Sequence, residues 1–509
     1  MSKDIQQQLE AGNEAFLNQD YGQAETNFKA ALWEAERLKD NLKIADCLDR
    51  LAEVFFEQER YGDAEPLYQR ALEAREKELD PQNEMIVQSL NNLSAVYFFQ
   101  QKYELAEPIC TRLTEIYEKV LGPNNPEVAT SYNNLALLYA AQHKFGAAEA
   151  LYKQSLDLKT SALGNDHPEV GDILHNLGTL YLSEDRFQEA EDMLGRALAV
   201  LENALGTEHP DLEELLTSLA TLFDSSGKAD ESCKMYERVL NIKEVNLGPT
   251  HPEVVQAIKQ TGLAYANVSK HDQAERFLKR ALAIKERAQE KKSPEGANLL
   301  TYLAELYASQ RKFPQAEEFY KEALTICEQV LGPKHDQTER QLKEIASFYQ
   351  SYNRHAKAEP YYKKLVTIKQ KTKGPKHPEY ISARVLHASC LLRQEKQGEA
   401  ETMLKEAVDT GKDALGSSDP VVGDALHNYA LALKASGKNE QSEQCFKEAI
   451  DVRTRALGPQ HIDLAESLQG YADLLKNNYR EAEAEHMLAC ARAIIDHNKA
   501  KDSSLQGIS

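Results

Sequence analysis

LGPNNPEVATSYNNLALLYAAQHKFGAAEALYKQSLDLKTSALGNDHPEV, residues 121–170, ends on nearly the same eight residues with which it begins. Between the two copies lie two amphipathic stretches. In EVATSYNNLALLYAAQ, Val128, Tyr132, Leu135 and Tyr139 stand at i, i+4, i+7 and i+11 and make one apolar stripe on a helix. HKF turns the chain. In AAEALYKQSLDLKTSAL, Ala148, Leu151, Tyr152, Ser155, Leu156 and Leu158 face inward or close to it. Gly164 stops this second helix, because glycine enters the left-handed conformation of a helix end without strain. Pro168 opens the next helix where its missing N–H costs nothing, and His167 takes the N-cap position.

The same phrase recurs outward in both directions. Its glycine is Gly122, Gly164, Gly206, Gly248, Gly332, Gly374, Gly416 and Gly458, so neighbours are 42 residues apart except for one gap of 84. In that gap QEKKSPEGA stands for the phrase, with Glu290 for the glycine and Pro294 in the proline slot. Small residues recur at the places where two helices must touch, 42 residues apart except for a first interval of 40. One row is Gly12, Ala52, Ser94, Ala136, Gly178, Ala220, Gly262, Ala304, Ala346, Ala388, Ala430 and Ala472. Twelve residues further on lies a second, Ala24, Ala64, Ala106, Ala148, Ala190, Ser232, Ala274, Ala316, Ala358, Ala400, Ser442 and Ala484. An aromatic often follows the first row by three, as at Phe55, Tyr97, Tyr139 and Tyr181.

This small–aromatic–small pattern resembles the tetratricopeptide repeat (TPR) signature. The LGPxHPEV loop, AEPLY from Ala64 and YNNLALLY from Tyr132 are similar to the repeats of kinesin light chains and their bacterial relatives. The resemblance implies an all-α fold, a right-handed α-solenoid of about twelve helix pairs. One array over residues 1–500 is expected, with units beginning near 5, 45, 87, 129, 171, 213, 255, 297, 339, 381, 423 and 465 and a flexible tail at 501–509.

Composition narrows the function. Lys and Arg number 60 against 81 Asp and Glu, a net charge of −21, which argues against nucleic acid or an anionic membrane as the main partner. No stretch approaches the roughly 18 apolar residues of a membrane span, and MSKDIQQQLEAG at the start has no apolar signal core. The seven cysteines show no CxxC spacing and suit a reducing compartment, so a cytoplasmic location is expected. His167, His209, His251, His335, His377 and His461 form a row, but equivalent points on stacked helices are roughly 8–10 Å apart. Neighbours in such a row cannot share a zinc ion, which needs its ligands about 2 Å away, so helix capping is the expected role. Phosphate-binding, zinc-protease and nucleophile-elbow motifs are absent, and neither an enzyme nor a cofactor is expected.

The resemblance implies that the first helix of each unit lines a concave groove. One groove position carries Arg50, Asn92, Asn134, Asn176 and Asn428, and the position before it Asn91, Asn133, His175 and His427. An amide donates and accepts at once, so a ladder of amides can hold an extended backbone while tolerating many side chains. Phe56, Phe98, Phe99 and Leu182 fall on or beside that face and offer an apolar pocket. Asp46, Asp49, Glu53, Asp172, Glu214 and Asp224 oppose Arg50 in the N-terminal half. In the C-terminal half Lys259, Arg340, Lys343, Arg393, Lys434 and Lys476 stand against Glu305, Glu344, Asp424, Glu466 and Asp473. The expectation is a scaffold or adaptor that binds a basic or polar peptide segment of a polypeptide partner. The competing expectation is a self-assembly module that forms homo-oligomers through end repeats or the convex face.

Overall fold

The computed structural model describes residues 2–506, with side-chain surroundings for 4–498. It divides into two compact units, residues 1–222 and 223–509. The first unit holds the pairs α1 (Ser2–Leu17) and α2 (Tyr21–Leu38), α3 (Asn41–Glu57) and α4 (Tyr61–Glu76), α5 (Glu84–Phe99) and α6 (Tyr103–Leu121), α7 (Pro126–Ala141) and α8 (Phe145–Leu163), and α9 (Pro168–Ser183) and α10 (Phe187–Leu205). The division falls within α11 (Leu212–Ser225), whose pair is α12 (Ala229–Leu247). The second unit continues with α13 (Pro252–Asn267) and α14 (His271–Arg287), α15 (Pro294–Ser309) and α16 (Phe313–Val330), α17 (Asp336–Ser351) and α18 (His355–Thr372), and α19 (Pro378–Leu392) and α20 (Gln397–Leu415). It closes with α21 (Pro420–Ala435) and α22 (Asn439–Leu457), then α23 (Ile462–Asn477) and α24 (Glu481–Gln506). These 24 helices, with no strand among the described residues, make an all-α solenoid of twelve helix pairs.

Most first helices begin about three residues before the expected repeat starts, because the proline and its cap set the boundary ahead of the first apolar residue. His167, His251, His335, His377 and His461 are N-caps whose Nδ1 accepts the N–H two residues on, as at Glu169 (3.3 Å). His209 accepts from the Asp211 N–H in the same way, but there the chain turns before α11 begins at Leu212. Gly164 ends α8 at φ +88°, its N–H donating to the Thr160 carbonyl. α24 runs through the start of the expected tail to Gln506, and residues 507–509 lie outside the described part.

The core follows the two rows of small residues. Ala52, Ala136, Ala220, Ala304, Ala346, Ala388, Ala430 and Ala472 are fully buried, and so is every member of the second row from Ala24 to Ala484. Helix pairs cross too closely for more volume there: a Cβ on Gly178 would lie 2.6 Å from the Leu194 side chain. Successive repeats are tied by a recurring clamp. Glu149 on α8 accepts from the Arg186 guanidinium (2.9 Å) and the Tyr181 hydroxyl (2.9 Å), and Arg186 lies 4.1 Å over the Tyr181 ring. Those bonds, with one from Lys153, hold the Glu149 carboxyl down at about 2. Glu317 and Glu443 make the same clamp in the second unit, Glu317 with Lys357 and Lys321, Glu443 with Arg480 and Lys447.

Candidate functional site

The candidate residues of the first unit fall on the faces of α3, α5, α7 and α9. α5 and α7 are held side by side by α6, and a cavity of about 470 Å³ opens between them. Phe98 and Phe99 from α5, Cys110 and Leu113 from α6, and Leu137 and Leu138 from α7 give it apolar walls. Asn91, Thr130 and Asn134 supply polar groups, and Glu127 is the only charged residue that lines it. Volume and character match a site that takes a bulky apolar group with a few orienting polar atoms. Four predicted residues, Asn91, Phe98, Phe99 and Asn134, thus meet at one pocket.

An aromatic cluster extends the pocket toward α3 and α4. Phe99 stacks on Tyr61 (5.3 Å, 11° between planes) and meets Phe56 edge-on at 5.4 Å, while Phe98 meets Tyr103 at 5.7 Å. Phe99 remains 54% exposed at the rim of this cluster.

The asparagines are arranged differently from a ladder of equivalents. They pair diagonally, 43 residues apart. The Asn176 Nδ2 donates to the Asn133 Oδ1 at 3.0 Å, and one diagonal further His175 Nε2 meets the Ser218 hydroxyl at 3.0 Å. These groups staple α7 to α9 and α9 to α11, and burial lowers the pKa of His175. The preceding diagonal, Asn91 to Asn134, spans the pocket, and neither amide makes a side-chain hydrogen bond among the described residues. Asn92 is half-buried beside it. In the second unit the Asn428 amide donates to the Asp424 carbonyl of its own helix (2.9 Å), and the buried His427 meets the Ser467 hydroxyl.

Asp46 and Asp49 are not free rim charges. Both carboxylates receive the Arg75 guanidinium from α4, at 2.9 and 2.5 Å, and Arg75 is itself 2% exposed. Arg75 also donates to the Ser89 hydroxyl at 2.6 Å. Burial dominates at Asp49 and pushes its carboxyl up to about 6. Arg75 heads a row that sequence reading missed. Lys159, Lys369 and Arg453 stand at whole multiples of 42 residues from it, are equally buried, and pair with Glu169, with Glu339 and Glu379, and with Asp424. The signal was a cation recurring on the apolar face of second helices, where a charge persists only if a partner waits for it.

Among the described residues no group of three or more His, Cys, Asp or Glu is placed to hold a metal, and no helix is long and apolar enough to cross a membrane.

A tetratricopeptide repeat family profile matches residues 11–77, 85–161, 147–203, 169–244, 211–287, 297–371, 340–413 and 421–495, and a second tetratricopeptide repeat profile matches 259–330. The chain therefore belongs to the tetratricopeptide repeat family, whose members are in general non-enzymatic scaffolds for other polypeptides. Similar solved structures include BtubC (BKLC) from P. vanneervenii, 25% identical, covering 46% of this chain and 94% of that one with a TM-score of 0.39. A Podosopora anserina chain with the description "putative kinesin light chain nearly identical TPR-like repeats" is 23% identical over 41% of this chain and 97% of that one, TM-score 0.37. Yeast Tom70 is 14% identical over 94% and 97%, TM-score 0.36. No curated protein matches the sequence.

Proposed function

We propose that this protein is a non-catalytic cytoplasmic adaptor that holds an extended segment of a partner polypeptide along the first helices of repeats two to five. The observation that carries this reading is the pocket between α5 and α7. There two amides with unspent hydrogen-bonding capacity, Asn91 and Asn134, stand beside an apolar cavity and an exposed phenylalanine. An amide pair satisfies a peptide unit, the cavity takes a side chain, and Glu127 favours a segment that carries a Lys or Arg. Asn133 and Asn176 support the site by fixing the spacing of α7 and α9 rather than by contacting the segment.

The test is capture of peptides from a random-sequence library by the full chain, beside an Asn91→Ala, Asn134→Ala double variant. Two lost hydrogen bonds at about 1 kcal/mol each weaken retained peptides by about 30-fold. The melting temperature stays nearly unchanged, since neither amide bonds within the protein. Equal retention by both proteins would place peptide binding elsewhere on the chain.

A further inference from the structure

Cys110 is an exception in its own row. The equivalent residues of the other repeats are Phe28, Tyr68, Tyr152, Leu194, Tyr236, Leu278, Tyr320, Tyr362, Leu404, Phe446 and Leu488, all bulky. Where this side chain is a tyrosine, its neighbours mark the space that the ring fills. The Tyr320 ring lies 5.1 Å from the Phe348 ring on the next repeat's first helix. The Tyr362 hydroxyl donates to the Gln350 Oε1 on its own repeat's first helix at 2.8 Å. Shifted by whole repeats of 42 residues, Phe348 corresponds to Leu138 and Gln350 to Phe98, and both line the cavity beside Cys110. The cavity therefore occupies the place where the other repeats keep their own bulky side chain. Trading a buried ring for a thiol removes volume that the surrounding helices do not recover by collapse. The space that this leaves is lined by Phe98 and Leu138 and opens onto the Asn91 and Asn134 amides.

We infer that the Cys110 pocket is the anchor site for an aromatic side chain, phenylalanine or tyrosine, of a partner polypeptide. The partner's ring takes the position that Tyr320 and Tyr362 occupy in their own repeats. This rests on the peptide-binding reading of the same face and says which residue of the segment carries its affinity. The continuity of the pocket with the amide pair favours a ring borne on a peptide chain over a free small molecule. Glu127 at the edge favours a Lys or Arg next to that ring.

The experiment uses the full chain, Cys110→Tyr and Cys110→Leu. Both variants supply side chains that this row already holds elsewhere, so both are expected to fold with helicity and melting temperature at or above wild type. Should Cys110→Tyr be too large, Cys110→Leu decides. The probes are p-cresol, which is the tyrosine side chain alone, and the random-sequence peptide library. On wild type, p-cresol binds and the retained peptides are enriched in Phe or Tyr beside Lys or Arg. On the filled variants p-cresol binding is lost and those peptides weaken about 10- to 100-fold, the worth of burying one aromatic side chain. Peptides retained equally by wild type and both filled variants would overturn the anchor while leaving peptide binding intact. Binding of p-cresol with no peptide retained would overturn both readings and leave a small-molecule pocket. Self-association of wild type that the filled variants abolish, seen by sedimentation, would make a second copy of the chain the occupant and overturn the partner assignment.

Discussion

At the scale of single residues, the buried ionisable groups set how stability responds to pH. His427 is 8% exposed, with the Ser467 hydroxyl at 3.2 Å, the Phe446 ring at 6.0 Å and the Arg453 guanidinium close enough to repel a proton. Burial, then Arg453, depresses its pKa to about 3, against an ordinary value of 6.5. A base with a depressed folded value contributes stability that is complete above the unfolded pKa and lost as pH falls toward the folded one. The melting temperature of the second unit is therefore expected to be flat above about pH 6.5 and to decline below it. His427→Gln reduces that slope. The clamp glutamates, held near 2, lose their contribution only as pH falls through the ordinary carboxyl value, so between about pH 6.5 and 5 the difference between wild type and His427→Gln reports on His427. An unchanged slope in the variant would show that His427 accepts its proton inside the folded state.

At the scale of elements, the junction between α14 and α15 differs from the others. α14 ends at Arg287, Gln289 takes a left-handed conformation at φ 59°, and Ser293 caps α15 through the Gly296 N–H. Equivalent repeats carry Val254 and Thr338 where this one carries Gly296. The reason is steric: a Cβ on Gly296 would lie 2.1 Å from the Lys291 carbonyl oxygen, because the loop folds back over the helix start. Gly296→Ala must move that backbone and is expected to cost about 1–3 kcal/mol. Faster hydrogen exchange at the start of α15 in the variant is the measurement. Exchange equal to wild type would mean that the loop already moves aside.

At the scale of the whole molecule, each repeat is held by its neighbours, so damage stays near its source. Ala148 is fully buried in the second helix of its repeat. Ala148→Leu overpacks that crossing and is expected to destabilise by about 1–3 kcal/mol. Hydrogen exchange should quicken through α7 and α8 and their adjacent helices and remain at wild-type rates in α17 to α24. Uniform quickening across both units would show that the array unfolds as one cooperative body and not as a chain of nearest-neighbour terms.

The 42-residue period, the rows of small residues and the proline and glycine boundaries were legible in the sequence because they are local. Each depends on what one helix needs at its ends or where its partner crosses, and repetition shows the same need in repeat after repeat. That an apolar pocket lies near Phe98 and Phe99 was legible too, from the face on which they fall. The pairing of polar groups was not. Asp46 and Asp49 read as free acids until the tertiary structure brought Arg75 to them from the next helix. The asparagines read as a row of equivalents, whereas the offset between neighbouring first helices joins Asn133 to Asn176 and sets Asn91 across from Asn134. A side chain's partner is fixed by the distance and rotation between helices, which periodicity does not encode. Cys110 stands between these cases. Its oddity is written in the alignment of the repeats, but only the packed helices show that its small side chain leaves a cavity open between Phe98 and Leu138.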